Sequence, residues 1–204
     1  MLSVAYTDAV GRACAKRGVG LHIDGARLLN AAAAAGCTPA RLAAAADTVC
    51  LCLSKGVGAP VGSVLVGPSD FVVRAKRLRK AMGGAMRQAG CLAAAGLVGL
   101  TDVAPRLAAD HARCAGLAAR LAGLPGTSLR DGAPPTNIVF LKLHRSIDVA
   151  ALQAGLLDHG IAAYVDPGEC RLVTHHQVDD AAVDAVVAAW DRLVMPMVAR
   201  GGRA

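Results

Sequence analysis

His22-Ile-Asp-Gly-Ala-Arg-Leu28 and Ser54-Lys-Gly-Val-Gly-Ala-Pro-Val-Gly-Ser63 stand on either side of one helical stretch, and their reading decides the fold. Gly20–Asp24 reads as a short buried strand. Residues 27–36 and 39–46 read as helices, with Thr38 as N-cap and Pro39 at the first helical position. Asp47 precedes Thr48-Val-Cys-Leu-Cys-Leu53, a β-rich run and the next strand. Strands joined through helices are parallel, so their carboxyl ends share one sheet edge. Asp24 and Lys55 are expected at that edge, where open α/β sheets place their ligands.

Working outward, Val61–Gly67 is a further strand. Its connection from Lys55 is too short for a helical crossover, so it runs antiparallel and the sheet is mixed. Helices are predicted over 3–17, 69–82, 85–103 and 105–122, with Gly83-Gly84 between the second and third. Around Leu124-Pro-Gly126 and Arg130-Asp-Gly-Ala-Pro-Pro135 the composition turns to turn formers. A domain boundary is placed there, giving 1–130 and 131–204. The second domain reads as strands at 136–143, 161–165 and 170–175, with helices at 148–158 and 179–199. That is a small α/β unit with an antiparallel sheet and a frayed tail at 200–204.

The 204 residues suit one good domain and a small second. A hydrophobic fraction of 54% and a mean hydropathy of +0.45 describe a well-buried globular chain. The net charge of +7 raises nucleic acid as a partner. Aromatics at only 2% and the lack of a basic tract argue against it. The densest run, Arg74-Ala-Lys-Arg-Leu-Arg-Lys80, reads as a solvated helical face. Seven cysteines without a CxxC pair point to a reducing compartment, with no metal site and no disulfide framework. Cys50 and Cys52 share a strand face and are expected to pack as small apolar residues. No apolar run approaches the roughly 20 residues of a membrane span. The expected location is cytoplasmic, and a faintly transit-like residues 1–18 leave a mitochondrial one open.

Lys55 at a strand end is by itself an ordinary solvated side chain. Its setting raises it: Gly56, Gly58 and Gly62 permit close backbone approach to a ligand. A phosphate-binding P-loop has its Lys after the glycines, and here the Lys precedes them. Asp24-Gly25 is a common turn pair, yet one βαβ step couples it to Lys55. A carboxylate and an amine in one crevice suit pyridoxal phosphate: the amine holds the aldehyde as a Schiff base and the acid keeps the ring nitrogen protonated. Arg27 would orient Asp24 or the cofactor's phenolic oxygen. Arg87 and Arg171 are candidate anion clamps, since guanidinium binds carboxylate and phosphate in two-pronged fashion. Arg171 opens an apolar strand, where a buried Arg would need an anionic partner. His22, His175 and His176 read as structural hydrogen-bonders, and no catalytic base is assigned.

Together with Arg79-Lys-Ala-Met-Gly-Gly-Ala-Met-Arg-Gln88, Thr136-Asn137 and Arg171-Leu-Val-Thr-His175, these motifs resemble the low-specificity threonine aldolases of the β-eliminating lyase group, over essentially the whole chain. The resemblance implies the large domain of a fold type I pyridoxal phosphate enzyme (a mixed, mostly parallel sheet), present in part, with a small C-terminal α/β domain. It implies a carbon–carbon lyase of amino-acid metabolism. Such an enzyme cleaves threonine or allo-threonine to glycine and acetaldehyde by Schiff-base retro-aldol chemistry. Lys55 then carries the cofactor, Asp24 pairs with its ring nitrogen and Arg27 sits beside the ring. Arg171 takes the substrate carboxylate, and Arg87 reaches cofactor phosphate across a homo-oligomer interface. Ala85 departs from the family's usual third Gly. Family members also carry a long stretch before the helix that opens this chain, including the loop that grips the phosphate and the side chain that stacks on the ring. The alternatives are an inactive truncated homologue serving only as an interaction partner, or another fold type I enzyme such as an aminotransferase or β-eliminating lyase.

Overall fold

The structure is a computed structural model and describes residues 1–201, so part of the tail at 200–204 lies outside the described residues. The chain divides into two compact units, Met1–Leu107 and the remainder from Ala108. This division falls ahead of the composition change near 130, because helix and strand between the two points pack with the C-terminal sheet.

The first unit opens with α1 (Val4–Ala15), whose N-cap Ser3 accepts a hydrogen bond from the Tyr6 amide through Oγ at 3.2 Å. Strand β1 (His22–Asp24) pairs in parallel with β2 (Thr48–Cys52), in the register His22↔Thr48 to Asp24↔Cys50. Between them run α2 (Leu28–Ala34) and α3 (Pro39–Leu42), the latter capped by Thr38 Oγ1. Strand β3 (Ser63–Val66) lies antiparallel to β2, so the sheet has the order β1-β2-β3 and is mixed as expected. Leu53, Val57 and Ala59 form a small core beside it with Leu29, Leu51 and Leu100.

Three expectations change here. β1 is not a buried strand: among the described residues it has a neighbour on one side only, and His22 and Asp24 are exposed. The helix expected from 85 begins five residues later, as α5 (Gly90–Val98). Gln88 is the cause, since its φ of +50° is a left-handed conformation that no right-handed helix admits. After α4 (Ser69–Ala81), which buries none of its residues, that segment leaves residues 82–91 exposed. By length and composition the helical run Gly90–Ala122 is long and apolar enough to cross a membrane, against the expectation that no apolar run approaches that length. Its last part, α6 (Leu107–Ala122), instead turns Cys114, Leu117, Ala118 and Leu121 into the core of the second unit.

The second unit holds an antiparallel sheet in the order β4-β5-β7-β6, formed by β4 (Thr127–Leu129), β5 (Ile138–Leu143), β6 (Tyr164–Asp166) and β7 (Glu169–Val173). Burial alternates along β5 and β7, as a sheet covered on one face requires. Val139, Leu141, Cys170 and Leu172 point inward, where they meet α6, α7 (Val149–Asp158) and α8 (Asp180–Gly201). Ile138, Phe140, Lys142, Glu169, Arg171 and Val173 share the outer face. Strand β4 was not expected. It is three residues long and sits among turn formers, so its pairing with β5 defines it rather than its composition.

One buried acid stands out. Asp110 is 1% exposed, its Oδ2 has no hydrogen-bond partner and its Oδ1 lies 3.8 Å from Arg113 Nη1. Burial raises its pKa, and the charges of Arg113, His176, His111 and His175 only partly offset this. A carboxyl whose folded-state pKa exceeds the unfolded one contributes stability below the unfolded value and loses it as pH rises through the folded value. Asp110→Asn is therefore expected to raise stability near pH 7, because it removes the charge that burial penalises. Parallel thermal melts check it: the gain should shrink as pH falls through the carboxylate range and the wild-type acid takes up its own proton.

Candidate functional site

Two glycines bring the halves of the candidate site together. Gly25 directly follows Asp24, and its amide donates to Cys50 O at 2.8 Å. A Cβ there would stand 3.0 Å from that same oxygen and 3.1 Å from Leu28 Cβ. Gly56 directly follows Lys55, and a Cβ there would stand 2.9 Å from Asn30 Oδ1. Asn30 is buried on α2, the helix that opens just after Arg27. The turn carrying Lys55 is thus pressed against the helix that follows Asp24 and Arg27, a close approach that glycine favours.

The Lys55 turn is fixed from below and open above. Gly58 N donates to Lys55 O at 2.8 Å and Ala59 N to Leu53 O at 3.0 Å. Gly58 has φ +80°, a conformation that favours glycine. Leu53, Val57 and Ala59 anchor the loop in the small core, and Lys55 between them is left exposed. Asp24 ends β1 and Lys55 follows the end of β2, so the parallel pairing puts both at one sheet edge. A cavity of about 210 Å³ is lined by Ile23, Asp24, Gly25, Arg27, Leu28 and Leu42, among others. Asp24 and Arg27 therefore share a hollow; Lys55 and Arg87 are not among its walls.

Arg87 is exposed, in the non-helical stretch between Gly83, with φ +79°, and Gln88. Arg171 belongs to the second unit. It does not open its strand, as the sequence suggested, but sits in the middle of β7 on the outer face, half-buried. Its cross-strand neighbours are Phe140 on β5 and Tyr164 on β6. Phe140 is itself covered by the Arg130 guanidinium at 3.8 Å, and Arg130 is neutralised by Asp131 and Glu169. The anionic partner expected for Arg171 is absent among the described residues.

The charged candidates share a property. Elsewhere Asp8 pairs with Arg41, Arg113 with Asp180 and Arg120 with Asp184. The side chains of Asp24, Arg27, Lys55, Arg87 and Arg171 make no hydrogen bond or ion pair among the described residues. Within the first unit, the free carboxylate of Asp24, the free amine of Lys55 and the free guanidiniums of Arg27 and Arg87 are a donor set that suits an anionic aldehyde with a basic ring nitrogen. His22 Nδ1 lies 2.8 Å from Thr48 Oγ1, and the Gln177 amide donates to His175 Nδ1 at 3.3 Å, structural roles in line with the sequence reading.

Cys52 is the residue sequence reasoning undervalued. Its thiol is half-buried and lies 3.3 Å from Ser54 Oγ. The Ser54 hydrogen bond, with help from the Lys55 charge and Ser63, draws its pKa below the ordinary thiol value against the opposing effect of burial. Its alternation with Leu51 and its place three residues before Lys55 were the available signals.

A family model described as β-eliminating lyase matches residues 1–145. The low-specificity L-threonine aldolase 1 of Arabidopsis thaliana is 41% identical over 199 residues, covering 96% of this chain and 56% of its own length. The low specificity L-threonine aldolase of Escherichia coli K12 is 39% identical over 175 residues, covering 86% of this chain and 51% of its own length. This chain thus spans about half the length of these relatives. Among solved structures, the threonine aldolase of Leishmania major superposes with a TM-score of 0.75 at 22% identity, covering 95% of this chain and 57% of that one. That likeness shows the fold, the α/β architecture of fold type I enzymes present in part.

Proposed function

Because this chain belongs to the β-eliminating lyase family, we propose that it serves the pyridoxal phosphate-dependent cleavage of L-threonine or L-allo-threonine to glycine and acetaldehyde. One observation carries the reading: Asp24 and Lys55, both unpartnered, stand at the same edge of a parallel strand pair. The similarity to the two threonine aldolases supports the choice of substrate.

When bound, pyridoxal phosphate supplies an aldehyde that condenses with amines and a protonated ring that accepts the electron pair left at Cα when Cα–Cβ breaks. The rest falls to the chain. Lys55 Nζ would be the amine that holds the cofactor aldehyde. Asp24 would keep the ring nitrogen protonated, and Arg27, in the same hollow as Asp24, would orient Asp24 or the phenolic oxygen. Arg171, free on its sheet face, takes the substrate carboxylate in a two-pronged grip. Arg87 would clamp phosphate. Its exposure, with the whole of residues 82–91, suits a homo-oligomer in which it serves a neighbouring subunit. The proposed setting is the cytoplasm.

Product analysis tests this directly. The purified chain with pyridoxal phosphate is expected to convert threonine to glycine and acetaldehyde in equal amounts. A keto acid in their place would identify an aminotransferase, and the absence of both products would sink the reading for this chain.

A further inference from the structure

The outer-face position of Arg171 raises the question of what sets its direction. A guanidinium with no hydrogen-bond partner of its own takes its aim from its strand. On one side β7 is held by the tight hairpin with β6, in the register Tyr164↔Arg171 to Asp166↔Glu169. On the other side the ladder with β5 ends at Ile138↔Val173. Immediately beyond lies a buried polar knot that the proposed chemistry does not use.

Thr174 is its centre and is 1% exposed. Its amide donates to Asn137 O at 3.0 Å, and its carbonyl accepts from Asn137 Nδ2 at 2.7 Å. Its hydroxyl donates to Asp110 O at 2.7 Å. Asn137 immediately precedes β5, and Asp110 belongs to α6. Three elements are therefore tied at one residue, three positions after Arg171. The chain beyond turns away, with Val178 N donating to His175 O at 2.8 Å. Buried hydrogen bonds of this kind fix geometry because breaking one leaves its partner unsatisfied.

From these contacts we infer that Asn137, Thr174 and the Asp110 carbonyl form a clamp that positions Arg171 for the substrate carboxylate. Thr174 is the positioning residue; it touches no substrate, and its hydroxyl fixes the end of β7 to α6. The inference rests on the proposed role of Arg171.

The test compares Thr174→Val with Thr174→Ser in the full chain loaded with pyridoxal phosphate. Valine keeps the shape and removes the donor; serine keeps the donor. The valine variant is expected to raise KM for threonine about tenfold, the size of one lost buried hydrogen bond, with kcat within about twofold. Serine restores KM. In the chain without cofactor, hydrogen exchange at the Arg171, Leu172 and Val173 amides should rise about tenfold in the valine variant alone. Side-chain Nε–Hε relaxation of Arg171 should show lost order there too. Arg171→Ala separates the two ideas: if it leaves KM unchanged, the carboxylate role fails. If it raises KM while valine at 174 does not, the clamp is overturned. Exchange that rises with Arg171 order unchanged also overturns it, leaving a purely structural knot. Should the chain turn nothing over, exchange and relaxation decide alone. Should the valine variant fail to fold, Thr174→Cys, with similar volume and a weak donor, carries the same comparison.

Discussion

Lys55→Ala is expected to end covalent retention of pyridoxal phosphate and to lower threonine cleavage on the order of 10⁴-fold or more. Borohydride reduction followed by peptide mapping should find the cofactor on the wild-type peptide containing Lys55 and on no peptide of the variant. The fold should survive. Lys55 is exposed and unpartnered, its turn is held by Leu53, Val57 and Ala59, and surface changes of that kind usually stay within about 0.5 kcal/mol. An unchanged melting temperature with lost retention therefore reads as chemistry, not unfolding. Lys55→Arg sharpens the test: it keeps the charge, yet its guanidinium is a poor nucleophile, so it should fail as alanine does. Retention of the cofactor on another lysine in both variants would overturn the assignment.

The site's local half was legible from sequence because its signals are local. A strand, a capped helical stretch and a second strand leave few ways to arrange Asp24 and Lys55, and the parallel register Asp24↔Cys50 follows. Thr38 caps its helix as expected, since a cap depends on a few neighbouring residues. What escaped depends on distant partners or on a single dihedral. The delayed start of α5 turns on the φ of Gln88, a residue with no strong preference for that conformation. Strand β4 exists because Leu141 and Leu143 lie opposite it. Arg171 was placed on an apolar strand correctly, but which face it occupies is set by the sheet's alternation against a core that only the fold creates. The burial of Asp110 comes from packing that local sequence does not encode.

Trp190→Ala is expected to cost about 3–5 kcal/mol, the range for truncating a large buried aromatic. Small domains have only about 5–15 kcal/mol in total, so the variant's second unit should be marginal or unfolded. Trp190 is fully buried at the middle of α8, packed in the cluster that includes Leu141, Cys170 and Leu172. Its Nε1 donates to Thr127 Oγ1 at 3.0 Å, tying α8 to the edge strand β4. Alanine removes both the volume and the tie. Thr127→Val removes the tie alone and should cost about 1 kcal/mol, so the difference between the variants isolates packing. It is the chain's only tryptophan, so its fluorescence follows unfolding in the wild type and in Thr127→Val, while circular dichroism in urea compares all three. The sheet that presents Arg171 outward rests its inner face on this cluster, so loss of Trp190 should also raise exchange at the Arg171 to Val173 amides. A variant whose urea midpoint matches the wild type would mean that α8 and β4 are not held through Trp190, and the outer face would need another foundation.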